Sequence, residues 1–190
     1  MRSRPRRNRK TESIREMVQE NHVHARDLIF PLFLLEKENS RVEVDSMPGI
    51  YRLGIEGILK EIEGCMKVGV HSFDLFPVVN EQHKDKKATK SYDDSFFYLQ
   101  AIRRIKQEFP SVCLMSDVAM DPYSIDGHDG IVDENGEILN DETLEVLGKM
   151  SVAQADAGVD IVGPSDMMDG RVGYIRNSLD KAGYTTVSIM

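Results

Sequence analysis

Long apolar runs are missing from this 190-residue sequence. No stretch approaches the ~20 apolar residues a helix needs to cross a bilayer, so no membrane span is expected. The N-terminal MRSRPRRNRK is basic but lacks the apolar stretch that would follow in a secretory leader. Cysteine is scarce: only Cys65 and Cys113 occur, far apart and in segments that read as buried. A disulfide framework is therefore not expected, and a reducing, cytoplasmic setting is. After the first apolar segment the chain continues EKENSRVEV, without the glycine fingerprint of a dinucleotide fold.

Acids are absent from residues 1–10, which carry six basic groups. The net charge is −8, so the remaining residues, with 18 basic against 32 acidic, stand at −14. A basic arm on an acidic body can bind nucleic acid, dock on a second copy of the chain, or simply stay solvated. Docking on a second copy is favoured over nucleic acid, because no aromatic or recognition-helix pattern accompanies the arginines. At 41% hydrophobic and 29% charged, the body suits one globular unit with a sizeable core.

Apolar periodicity lays out the body. LIFPLFLL (28–35) predicts a strand covered on both faces, and Ile55 to Met66 a helix that Gly69 can end. FDLFPVV (73–79) predicts a second strand, followed by a long charged loop. Phe97 to Phe109 form a helix that Pro110 stops. VCLMSDVAM (112–120) is a third strand. Ile131-Val132 and Ile138-Leu139 flank Asn135-Gly136 as a small hairpin. Asn140 is the expected N-cap of a helix running to about Gly158. DIVGPSD is strand four, Arg171 to Ala182 a helix capped by Gly183, and TTVSIM strand five. Strands and helices alternate after the arm, which implies a parallel α/β sheet. Doubly wound sheets and (β/α)₈ barrels both fit. Polar residues gather at the C-terminal ends of strands three and four, where barrel active sites lie.

The densest chemistry is SDVAMDPYSIDGHDG, residues 116–130. Alternation along a strand puts Asp117, Ala119 and Asp121 on one face. Asp129 returns after a glycine-bearing loop as a partner for Asp121, with His128 beside it. Paired carboxylates favour a hard cation such as Mg²⁺. The calcium-loop register fails, since no start at Asp121, Asp126 or Asp133 puts glycine sixth. A solvated acidic loop and a structural histidine are the plain alternatives. Strand four ends in GPSDMMDGR, where Ser165 and Asp166 can bind a ligand or Asp166 or Asp169 can cap the next helix.

SDVAMDPYSIDGHDGI, NDETLEVL and VGPSDMMDGRVGYIR, with the RPRR arm, LIFPLFLLE, SMPGIYRL, DLFPVV and QADAGVDIV, resemble the porphobilinogen synthase (5-aminolevulinate dehydratase) family. The resemblance covers all 190 residues and roughly the first three-fifths of a family chain. It implies a (β/α)₈ TIM barrel, here about its first five strands and four helices. Residues 1–26 would be the basic N-terminal arm and 27–190 an incomplete barrel domain. It also implies condensation of two 5-aminolevulinates to porphobilinogen with loss of two waters, in haem and other tetrapyrrole synthesis, and a homo-octamer assembled through the arms.

By the same resemblance Asp117 and Ser165 contact the substrate amino group. Where many members bind zinc with three cysteines, this sequence has Ala119, Asp121 and Asp129. That pattern is similar to the aspartate-bearing, magnesium-responsive class, so Mg²⁺ at Asp121 and Asp129 is expected and zinc is not. Asp126 and Ala88 depart from the family's more usual histidine and glycine. The two lysines that form Schiff bases in the family belong beyond Met190, so the 190 residues alone are expected to be inactive. Another metal-dependent barrel lyase or aldolase, or a non-catalytic assembly fragment, is the rival reading.

Overall fold

The structure, a computed structural model, describes residues 3–190. Arg2 of the basic arm lies outside the described residues. Pro5–Arg9 form a 3-10 turn and Glu12–Met17 a short helix α1, capped where Thr11 Oγ1 accepts from the Ile14 amide at 3.3 Å. Neither element buries a residue, so nothing in the arm's own packing holds it to the body.

The body is a mixed sheet with helices between its parallel strands. The strands are β1 (Ile29–Leu35), β2 (Arg41–Glu43), β3 (Tyr51–Leu53), β4 (Ser72–Val78) and β5 (Cys113–Val118), then β6 (Ile131–Val132), β7 (Ile138–Leu139), β8 (Ile161–Pro164) and β9 (Ser188–Ile189). Helix α2 (Ile55–Lys67) leads into β4, α3 (Phe97–Glu108) into β5, α4 (Asn140–Ala157) into β8 and α5 (Arg171–Lys181) into β9. The main sheet runs β2-β3-β1-β4-β5-β8-β9, and only the β2–β3 pair is antiparallel. β3 pairs with β1 on one side, and on the other side β4, β5, β8 and β9 each join the edge left by the one before.

Burial alternates along β4 and β5, so one face of these strands is covered and the other is not. The covered face carries Phe73, Leu75, Leu114 and Val162, all fully buried. Against it pack Ile58 and Ile62 of α2, Ile102 and Ile105 of α3, Leu147 and Met150 of α4, and Ile175 and Leu179 of α5, equally buried. Each such side chain contributes about 1.5–3 kcal/mol by leaving water. Double-sided burial of β1, expected from its unbroken apolar run, is not found: Leu32 and Leu34 are buried while Phe33 and Leu35 are only half-buried. Their face opens on the carboxylate cleft instead.

Three further expectations shift. The β2–β3 hairpin and helix α1 were not expected. Strand β5 stops at Val118, and Ala119 and Met120 are buried beyond it. Asn140 is the first residue of α4 rather than its cap, and its Oδ1 accepts from the Asp169 amide at 2.8 Å. The helix ends behave as read: Gly69, Gly158 and Gly183 take φ of 88°, 109° and 92°. At Gly54 a Cβ would lie 2.2 Å from the carbonyl oxygens of Lys37 and Glu38, so only glycine lets β3 turn into α2 there.

Candidate active site

Asp117 is the penultimate residue of β5, opposite Gly163 of β8. Its neighbour Ser116 points into the helical layer, where its hydroxyl donates to Gln154 Oε1 at 2.7 Å. The Gln154 amide in turn donates to the Asp117 carbonyl at 2.8 Å, tying the strand to α4. Alternation then sends the Asp117 carboxylate to the uncovered face. Ser165, one residue past β8, donates its hydroxyl to Asp117 Oδ1 at 2.6 Å. The sheet thus brings together the two residues assigned from sequence to the amino group.

Burial pushes the Asp117 carboxyl up to about 6; the Ser165 hydrogen bond opposes this, and the negative charges of Asp121, Asp129 and Asp166 add to it. Close by are two fully buried phenols. Tyr98 donates to the Leu75 carbonyl at 2.6 Å, while the Tyr123 hydroxyl has no partner among the described residues.

The aspartate loop sits at the same strand end. Because β5 stops at Val118, Asp121 is exposed on the turn rather than placed by strand alternation. It nevertheless lines one cleft with Asp117, Asp129 and Ser165. Burial and the Asp129 charge raise its carboxyl, and Lys84 opposes them. Among the described residues no group of three His, Cys, Asp or Glu side chains is placed to hold a metal ion. His128 accepts from the Gly130 amide through Nδ1 at 3.2 Å, the structural reading of that imidazole. Asp166 Oδ1 accepts from the Met168 amide at 2.8 Å, so it shapes the turn after β8, and α5 starts behind Gly170 without a side-chain cap.

The cleft holds about 640 Å³ and is lined also by Phe33, Phe76, Arg52 and Lys84. The two phenylalanines stack at 5.6 Å. Lys84 belongs to the long charged loop after β4. The structure puts it in the cleft, where its ammonium pairs with Glu81 at 2.7 Å. Asp74, on the same sheet face, was passed over, although a lone acid inside FDLFPVV was a visible signal. A second groove, about 690 Å³ and lined by Tyr92, Lys149, Tyr174 and Tyr184, lies along α4 and α5 and shares no residue with the cleft. Chemically the cleft offers a carboxylate and a hydroxyl for an ammonium group, and a carboxyl able to exchange a proton near neutral pH.

The sequence matches the family model "Delta-aminolevulinic acid dehydratase" over residues 2–190. It is 46% identical over 187 residues to the delta-aminolevulinic acid dehydratase of Chlamydia pneumoniae, covering 98% of this chain and 56% of that one. To the chloroplastic enzyme of Selaginella martensii it is 49% identical, covering 99% of this chain and 45% of the relative. The fold superposes with a TM-score of 0.97 on the Toxoplasma gondii delta-aminolevulinic acid dehydratase (porphobilinogen synthase) in complex with its reaction product porphobilinogen. That match is 48% identical and covers all of this chain and 54% of the other. The chain therefore spans about half the length of the relatives it matches.

Proposed function

The chain belongs to the delta-aminolevulinic acid dehydratase family, and from that premise we propose that it supplies the ammonium-binding half of a porphobilinogen synthase site. The observation that carries this is the Asp117–Ser165 hydrogen bond at the carboxyl ends of adjacent strands. In the proposed reaction two 5-aminolevulinates condense to porphobilinogen with loss of two waters. The Asp117 carboxylate and Ser165 hydroxyl hold one substrate's ammonium group. Asp117 then takes up its proton as the nitrogen becomes a nucleophile, which a carboxyl near 6 can do. The one-sided helical cover, with β1, β4, β5, β8 and β9 following one another across the sheet, supports reading it as the first part of a (β/α)₈ barrel. Protein extended to the length of its relatives should convert 5-aminolevulinate to porphobilinogen; no product from folded protein would overturn the proposal.

Mg²⁺ belongs to the same proposal. Asp121 feels the charge of Asp129 and shares the cleft with it, and no thiolate is near, since Cys65 and Cys113 lie elsewhere. Two carboxylates suit a hard cation that keeps most of its waters, not Zn²⁺. Bound there, the ion would supply positive charge beside the substrate. Titration of the extended protein should show a Mg²⁺ response that D121A and D129A weaken. Tight stoichiometric zinc at this loop would refute the assignment.

The arm is proposed to dock on a second copy, within a homo-octamer. Its described basic residues are exposed, its helix buries nothing, and the body opposite carries net negative charge. Deleting residues 1–10 should shrink the oligomer on a sizing column, and salt should weaken the intact assembly. An unchanged oligomer that has lost RNA binding would favour a nucleic-acid role instead. A cytoplasmic setting is supported by the two unpaired cysteines. No helix of the described residues is long and apolar enough to cross a membrane.

A further inference from the structure

We propose that Asp74 is a positioning residue for Asp117: the two carboxylates hold one proton between them, and Asp74 sets the pH at which Asp117 becomes an anion. Asp74 is the third residue of β4 and pairs in register with Met115 of β5. Asp117 lies two residues further along β5. Both side chains therefore project from the same uncovered face, on adjacent strands, with Cβ atoms roughly 8 Å apart from strand spacing and rise. The two side chains do interact across that diagonal, since the Asp117 charge raises the Asp74 carboxyl.

Asp74 has little else to bond. Its Oδ1 is shut off from water and has no hydrogen-bond partner among the described residues. A buried carboxylate oxygen in that state is costly, whereas a protonated or proton-sharing one is not. Around it, β1 offers Pro31 in register, which carries no charge, and α3 offers the Tyr98 phenol, already committed to the Leu75 carbonyl. From β5 comes Asp117. Around Asp117 stand Ser165, Asp121, Asp129, Asp166 and the Tyr123 phenol. The cleft's nearest ammonium, Lys84, is paired with Glu81 and acts on Asp121. The cleft's other cation, Arg52, lies on β3 with β1 between it and Asp74, and among the described residues neither cation shifts Asp74 or Asp117. Consistent with this, burial first and then the Asp117 charge push the Asp74 carboxyl up to about 6, where Asp117 also stands.

Two like-charged groups this close titrate as a unit. One proton leaves at lower pH and the second is held until the pH passes the pair's upper value. The consequence goes beyond the proposed ammonium site and rests on it only for its use. A cation arriving at Asp117 displaces the shared proton, so its affinity should rise with pH through about 6.

The test needs no ligand, so it stands or falls apart from the substrate reading. The full chain, labelled with ¹³C-carboxyl aspartate, is titrated by NMR as wild type, D74N and D117N, the substitutions also assigning the two signals. In D74N the Asp117 midpoint should fall by roughly one pH unit, because a neighbouring negative charge has gone. In D117N the Asp74 midpoint should fall likewise. Asparagine keeps the shape and removes an unpartnered charge, so D74N should fold. Should it not, D117N alone decides. Midpoints that stay within about 0.2 units of wild type in the folded variants would overturn the proposal.

Discussion

Incubated with 5-aminolevulinate and reduced with borohydride, the 190 residues alone are expected to carry no stable lysine adduct and to release no porphobilinogen. A Schiff base needs an amine that gives up its proton, which burial away from acids allows. Here the lysine at the cleft is held by an acid instead. Lys84, the only one lining the cleft among the described residues, is paired with Glu81 at 2.7 Å, and Lys90 and Lys106 hold Asp93 and Asp160 at 2.7 and 2.8 Å. An ion-paired ammonium is a poor nucleophile. The relatives are about twice as long, and the family's Schiff-base lysines are expected in that additional length. Mass spectrometry decides: an adduct on one lysine of the 190-residue chain, with product, would relocate the covalent chemistry into this half. An adduct only on the extended chain would confirm the division.

In extended protein, D117N is expected to lower kcat/KM by roughly 10²–10⁴-fold, the range for losing a positioned proton acceptor. The companion variant S165A separates binding from protonation. Ser165 donates to Asp117 and thereby holds its carboxyl down. Without that hydroxyl the Asp117 value rises, so the acid limb of the pH–rate profile should move to higher pH. A limb that moved down, or stayed, would show that Asp117 is not the group titrating. Stability should respond in the other sense. A carboxyl raised to about 6 in the fold binds its proton more tightly than in the unfolded chain. Its stabilising contribution is therefore complete below about pH 4 and lost as pH climbs through 6. D117N escapes that loss, and at pH 7 should match or exceed wild type, by about 1–2 kcal/mol at most, in urea unfolding.

Much of this fold could be read from apolar spacing. Ile58 and Ile62, Ile102 and Ile105 recur at helical intervals because a packed helix must keep them on one side, and the structure buries all four fully. The β2–β3 hairpin gave no such signal, since each strand is three residues long and β2 is wholly exposed. Helix α1 gave little more, being six residues long with only Ile14 and Met17 apolar and neither buried. Met120 misled because burial beyond a strand looks, in sequence, like more strand. Asn140 misled because its partner, the Asp169 amide, is distant in the chain and near only in the fold. At Ala88 the departure from glycine has a visible cost: the residue sits at φ 50°, left-handed backbone that glycine enters freely.

The site divides in the same way. Asp117 and Ser165 stood out because acids and hydroxyls at strand ends are conspicuous, and family resemblance gave them roles. Asp74 did not, because one acid inside FDLFPVV reads as an interruption. Only the register with Met115 reveals that it faces Asp117.

The order in which strands join the sheet has a bearing on biogenesis. Since β4 docks on β1, β5 on β4, β8 on β5 and β9 on β8, every addition needs only chain that has already left the ribosome. Contacts between neighbours in sequence close short loops and carry a small entropic cost, so each strand–helix unit can settle on a finished template during synthesis. Growth on that side is then vectorial, and the surface left open by each step is its leading edge. In this chain one such edge is the two-residue β9, too short to recruit a stranger's strand efficiently.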